Sequence, residues 1–263
     1  MKIVSVGTLK GGTGKTTMTF NLGGALAENS RVLLMDIDPQ CNLSNNTGLN
    51  IAMQDIYSSR DIFENPQISP ELLVIRNPIP GLPLLDIIPS HIRMIETELN
   101  IGTRAARERI LEYYIDDHRE FFEKYDYILI DTNPSMGPIN QNAFNASDSI
   151  ILVSDVDNNS RMGIQLFLYL WGRICSAMRR ENNVKALVLN RADFRTNLTG
   201  DIWEYFRADD ELASILTEPA IRERISFRRA ALQKVPVTLY KEGRDSAEEI
   251  RQLIANLKVR GVF

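Results

Sequence analysis

The stretch "VGTLKGGTGKTTMTF", Val6 to Phe20, decides how the rest of the chain is read. A short apolar run, Ile3–Val6, leads into it, and an apolar helical pattern, Thr16–Ala27, leads out. Between them Gly11, Gly12 and Gly14 surround Thr13, and Lys15 and Thr16 follow. A strand, a glycine loop and a helix in this order aim consecutive backbone N–H groups at an anion, and the helix N-terminus adds its positive end. Glycines let the backbone approach phosphates closely. Lys15 is then placed to reach the β- and γ-phosphates of a nucleotide, and the Thr16 hydroxyl to ligate Mg²⁺, with Thr17 next in line. The loop is a variant, because the first glycine of the common G-x-x-x-x-G-K-[ST] pattern would fall at Leu9. It also carries a second lysine, Lys10, at its far end, free to act elsewhere because Lys15 already fills the phosphate position.

Outward from the loop, short runs of Val, Ile and Leu alternate with helical patterns, the signature of a parallel sheet covered on both faces. Strands are expected at Ile3–Val6, Val32–Asp36, Leu84–Ile88, Tyr127–Asp131, Ser149–Val153 and Ala186–Asn190, with a further one at Val235–Leu239. Right-handed crossovers make this an α/β fold with a doubly wound, mostly parallel sheet, whose ligands bind at the carboxyl ends of the strands. Asn65–Pro83, with five prolines and little periodicity, reads as a surface excursion. Ser246–Leu257 reads as a final amphipathic helix with Ile250, Leu253, Ile254 and Leu257 inward. One domain spanning 1–263 is expected.

The chain has 263 residues and a formal charge of −4, so any nucleic-acid contact must come from a local patch. It contains no apolar run long enough for a membrane span, and MKIVSVGT is a strand-like start rather than a signal peptide, so a cytoplasmic protein is expected. Two cysteines, Cys41 and Cys175, offer no metal-binding pair and read as inert thiols of a reducing compartment.

The pattern K-G-G-x-G-K-T resembles the deviant Walker A motif of the ParA/MinD family of P-loop ATPases. "RVLLMDIDPQCNLS" is similar to that family's second motif, "YDYILIDTNPSMG" to its Walker B region, and "VLNRADFRTNLTG" and "KVPVTLY" to stretches of its partition ATPases. The likeness runs from Ile3 to about Leu257. It implies that Lys10 reaches across an ATP-sandwiched homodimer into the second copy's phosphates, where a cation stabilises charge on the transferred phosphoryl group. It implies too that Asp38 positions or activates the attacking water, that Asp36 serves the Mg²⁺ hydration shell, and that Asn190 hydrogen-bonds adenine. Asp131, a carboxylate closing the apolar run Ile128–Ile130, is the Walker B candidate for Mg²⁺. The family often continues D-x-P-P-S, where this chain has Asn133 in place of the first proline.

Arg222, Arg224, Arg228, Arg229 and Lys234 face only Glu223 between Ile221 and Val235, a local charge of +4 in an acidic chain. With Arg195, which matches a DNA-contacting position of the family, they form the candidate patch for nonspecific double-stranded DNA, salt-sensitive and blind to sequence. The resemblance therefore implies a DNA partition ATPase with ATP and Mg²⁺ as cofactors, associated with the nucleoid and stimulated by a ParB-like centromere-binding partner. Because the loop begins within ten residues of Met1, an operator-reading helix-turn-helix region is not expected ahead of it. The alternatives are a MinD-like membrane-cycling switch, for which the tail "LKVRGVF" is a poor bilayer anchor, and a ParA-like ATPase that positions a protein cargo. Metabolic relatives of the loop rank lower, since two isolated cysteines do not supply an iron–sulfur cluster.

Overall fold

The computed structural model describes residues 1–49, 56–157, 160–195 and 197–263. Its frame is one sheet of eight strands: β1 (Lys2–Gly7), β2 (Val32–Asp36), β3 (Ile75–Arg76), β4 (Leu85–Ile88), β5 (Tyr127–Asp131), β6 (Ser149–Asp155), β7 (Val184–Asn190) and β8 (Leu216–Thr217). Their order across the sheet is β3-β4-β2-β5-β1-β6-β7-β8. Every pairing is parallel except β3 with β4. This is the expected doubly wound, mostly parallel α/β sheet.

The central strands are apolar at nearly every position because both faces are covered. Val4, Val6, Leu34, Leu129 and Ile151 point to one face, into a core completed by helix α1 (Lys15–Leu26) and the final helix Arg244–Val259. Leu33, Met35, Ile128 and Ile130 point to the other, beneath the helices Ile110–Asp117 and Pro138–Ala146. The helix Ser160–Met178 covers β6 and β7 on that second face through Phe167, Leu168 and Trp171. Ile250, Leu253, Ile254 and Leu257 are buried as the tail's period required.

Two expectations need correction. Val235–Leu239 is not a strand: Pro236 has no N–H for a ladder, and the backbone turns, with Leu239 N–H donating to Pro236 O at 3.0 Å. The segment instead plugs onto α1, where Val237 N–H donates to Asn21 Oδ1 at 2.7 Å and Pro236 lies so close to Gly24 that a Cβ there would sit 2.5 Å from its ring. Asn65–Pro83 is more than a surface excursion, for it buries Ile68, Leu73, Ile79 and Leu82 and supplies the edge strand β3. Both β3 and β8 are two residues long, too short for any periodicity to mark them in the sequence.

Candidate functional site

The carboxyl ends of β1, β2, β5 and β7 meet at one rim, as the strand registers Val6↔Asp131 and Asp36↔Asp131 require. The glycine loop sits there. Gly12 (φ +81°) and Gly14 (φ +89°) occupy the left-handed region open to glycine, and a Cβ on Gly14 would collide with the Asn190 amide. Asn190, at the end of β7, donates from Nδ2 to Thr13 O at 2.8 Å and so ties the loop to the far strand. Whatever it offers a base, it is first a fastener of the loop. Lys15 opens α1 with only 6 % of its surface exposed.

Below the loop lies the acidic floor. Thr16 Oγ1 donates to Asp131 Oδ2 at 2.7 Å, and Thr19 Oγ1 to Asp131 Oδ1 at 3.0 Å. Thr19 was not singled out in the sequence, although the i, i+3 spacing from Thr16 places both on one helix face. Asp36 accepts from the Ser44 N–H at 2.8 Å and hydroxyl at 2.6 Å, and from the Asp38 N–H at 3.1 Å. It therefore also braces the Asp38–Ser44 turn, a role the sequence did not announce. Asp38 is 7 % exposed and accepts from Gln40 N–H at 2.9 Å.

Burial sets the electrostatics. Asp36 is pushed up to about 8 by burial and then by the neighbouring Asp131, with the Ser44 hydrogen bonds pulling back. Asp131 is pushed up to about 7, again chiefly by burial, with Thr16 and Lys15 opposing. Asp38 is raised by burial against the Gln40 hydrogen bond and the Lys15 charge. Burial lowers Lys15, partly offset by Asp131 and Asp38. A dry pocket that holds one buried ammonium above adjacent carboxylates is unfavourable unless further charges arrive. Among the described residues no three His, Cys, Asp or Glu are grouped to hold a metal alone. The Thr16 hydroxyl beside the Asp131 carboxylate is instead the partial oxygen set that suits Mg²⁺, which takes its other ligands from phosphates and water.

Lys10 lies outside the cradle. Its ammonium is hydrogen-bonded to Asp157 and lies 3.6 Å from Asp155 Oδ2, with 37 % of the side chain exposed. These two carboxylates hold it above its ordinary pKa, the Asp157 hydrogen bond contributing most. The loop's two lysines thus occupy different environments, one inside the cradle and one at the surface.

A cleft of about 310 Å³ runs on from Thr16 and Thr17 past Asn190 to Arg222, Arg224 and Phe227. Three members of the expected DNA patch, Arg222, Arg224 and Arg228, line this cleft, and all three are paired. Arg222 and Arg224 share Glu249, Arg224 also meets Asp245, and Arg228 meets Glu223 at 3.0 Å. Arg195 is 89 % exposed and forked onto Asp193. Arg229 is exposed on the helix Ile225–Leu232. The cluster is therefore less positive than the linear count suggested, because Glu249 and Asp245 come from the final helix. A larger groove of about 620 Å³ behind Arg222, between Trp203 and Glu249, lies away from the phosphate loop. Cys41 and Cys175 are buried free thiols, and burial pushes Cys41 up to about 12, as suits inert residues.

The sequence profile of an AAA domain family, AAA_31, matches residues 1–220. The sporulation initiation inhibitor protein Soj of Bacillus subtilis is 28 % identical over 269 residues, covering 99 % of each chain. The chromosome partitioning protein ParA of Caulobacter vibrioides is 28 % identical over 247 residues, covering 91 % of this chain and 87 % of that one. Among solved structures, an ATP complex of McdA from Cyanothece superposes with a TM-score of 0.82 at 18 % identity, covering 97 % and 96 % of the two chains. Among the described residues no helix is long and apolar enough to cross a membrane.

Proposed function

The chain belongs to this AAA domain family, in its ParA/MinD branch of ParA-type ATPases, and from that premise we propose that it is a Mg²⁺-dependent DNA partition ATPase that closes into a homodimer around ATP. The observation that carries the reading is the separation of the two lysines: Lys15 is buried within the loop, and Lys10 lies outside it, paired among the described residues with Asp155 and Asp157. One copy uses Lys15 and the loop amides to neutralise the β- and γ-phosphates. The other copy's Lys10 completes the charge around the transferred phosphoryl group. Thr16 and Asp131 would hold the Mg²⁺, which would supply charge neutralisation to the phosphates, with Asp36 bracing the turn beneath. Asp38 orients the attacking water. Thr17 and Asn190 border the cleft in which the base lies.

The whole of 1–263 acts as one ATPase domain. The ATP-bound dimer holds double-stranded DNA without reading bases, through Arg195, Arg228 and Arg229 at the surface, with Arg222 and Arg224 at the mouth of the nucleotide cleft as the link between the two sites. A ParB-like centromere-binding partner triggers hydrolysis on the nucleoid. The test is binding of a random-sequence duplex in ATP and in ADP across a salt series. Retention specific to ATP, falling steeply with log[salt], is expected. Equal binding in both nucleotides, or none in either with dimerisation intact, overturns the DNA role.

A further inference from the structure

Asp131 is followed by the loop Thr132-Asn133-Pro134-Ser135-Met136-Gly137, which lies against the phosphate loop. Thr132 Oγ1 donates to Val6 O at 2.8 Å, and a methyl placed on Gly11 would touch the Pro134 ring at 4.0 Å. The loop thus runs beside the start of the phosphate loop, with Pro134 next to Gly11. Proline fixes φ and stiffens a turn through its ring; asparagine at 133 does not. The stiffness comes from elsewhere. Asn140, fully buried in the first turn of the helix Pro138–Ala146, points its amide Nδ2 back into the loop, 2.8 Å from each of Asn133 O, Asn133 Oδ1 and Ser135 O. Its own Oδ1 is buried and has no partner among the described residues, so the amide acts through its N–H groups.

We propose that Asn140 is a positioning residue of the ATPase site, a hydrogen-bond clamp that with Asn133 replaces the rigidity of a proline and fixes the path of the loop between Asp131 and Pro138, which carries Pro134 beside Gly11. This inference rests on the ATPase reading above. Asn133 contributes both its carbonyl and its side-chain oxygen, so the two asparagines work as a pair: the acceptor at 133 is useful only with a donor at 140. Neither touches the reacting atoms.

The experiment compares Asn140→Ala, the near-isosteric Asn140→Asp, the double variant Asn140→Ala with Asn133→Pro, and Asn142→Ala as control. Asn142 is equally buried on the same helix, but it spends its amide on Arg107 O and Pro138 O and leaves the loop alone. Amide hydrogen exchange over 132–137 reads the clamp directly, and steady-state turnover reads its effect. Removing the donor by Asn140→Ala or Asn140→Asp is expected to speed exchange of the loop and to lower kcat about 10-fold with KM shifted less than about 2-fold. Asn133→Pro in the Asn140→Ala background is expected to restore both. Asn142→Ala should lower thermal stability and leave loop exchange and kcat unchanged. Unaltered exchange in Asn140→Ala, failure of the proline to rescue, or an equal kcat loss in Asn142→Ala overturns the clamp. Absence of ATP turnover in the unsubstituted protein would refute the ATPase reading instead, and the exchange comparison would still decide the clamp.

Discussion

At the scale of single residues, the site is a problem in burying charge. Asp36 and Asp131 sit opposite each other on neighbouring parallel strands, both without solvent exposure. Two carboxylates this close and this dry do not both ionise readily, so the folded protein without nucleotide or metal retains a proton that the unfolded chain releases near pH 4. The folded pKa lies above the unfolded one, so this contribution to stability is complete below about pH 4. It is lost as pH rises to the folded values of about 7 and 8. Protein kept in chelator without nucleotide should therefore show a melting temperature that falls between about pH 5 and 8, with a slope of up to about 1.4 kcal/mol per pH unit for each retained proton. Asp36→Asn should flatten that slope; a melting temperature already flat over this range in the parent protein would show that the pair is ionised throughout. The residue types of this site were legible in the sequence, since Lys15, Thr16 and Asp131 converge as their motif spacing required. The brace from Ser44 and the clamp from Asn140 were not, because each depends on a loop path that no local pattern encodes.

At the scale of elements, α1 explains both what sequence reading found and what it lost. The helix is buried nearly all round, from Met18 to Leu26, because the sheet covers one side while the final helix and the Pro236 segment cover the other. Gly23 permits contact with Leu34 below, and Gly24 with Pro236 above. The six long strands were legible because burial on both faces forces continuous apolar runs. The segment Val235–Leu239 misled for the same reason: it is apolar because it packs on α1, yet it donates its backbone to a side chain rather than to a neighbouring strand. Asn21 is the hinge of that arrangement, accepting Val237 N–H on Oδ1 while its Nδ2 donates to Thr17 O at 2.7 Å. Asn21→Ala strands a buried N–H, at a penalty of about 1–3 kcal/mol. For a chain of this size that corresponds to a melting temperature lower by roughly 2–10 °C. Because Asn21 also touches the turn carrying Thr17, the affinity for ATP should weaken along with stability. An unchanged melting temperature would mean that Val237 N–H finds another acceptor.

At the scale of the whole molecule, the site of one chain is incomplete for the proposed ATPase in a specific way. The loop, the acidic floor and Lys15 lie within one copy, whereas Lys10, the second cation of the motif, is turned to Asp155 and Asp157 at the surface. A lysine that only tuned the local fold would gain little there, since an ion pair this exposed contributes about 0–1 kcal/mol. The same weakness makes it exchangeable: on the proposed reading, a second copy presenting nucleotide phosphates offers Lys10 a more highly charged partner than the exposed Asp157 and the half-buried Asp155. Lys10→Ala should accordingly lower the melting temperature by no more than about 4 °C and leave ATP binding to the monomer nearly intact. It should abolish ATP-dependent dimerisation, read by light scattering, and with it the retention of DNA. Lys15→Ala, by contrast, should lose ATP binding itself, read by titration calorimetry. If Lys10→Ala dimerised and hydrolysed ATP like the parent chain, the loop would be serving one copy alone, and the ion pair with Asp157 would be the lysine's whole purpose.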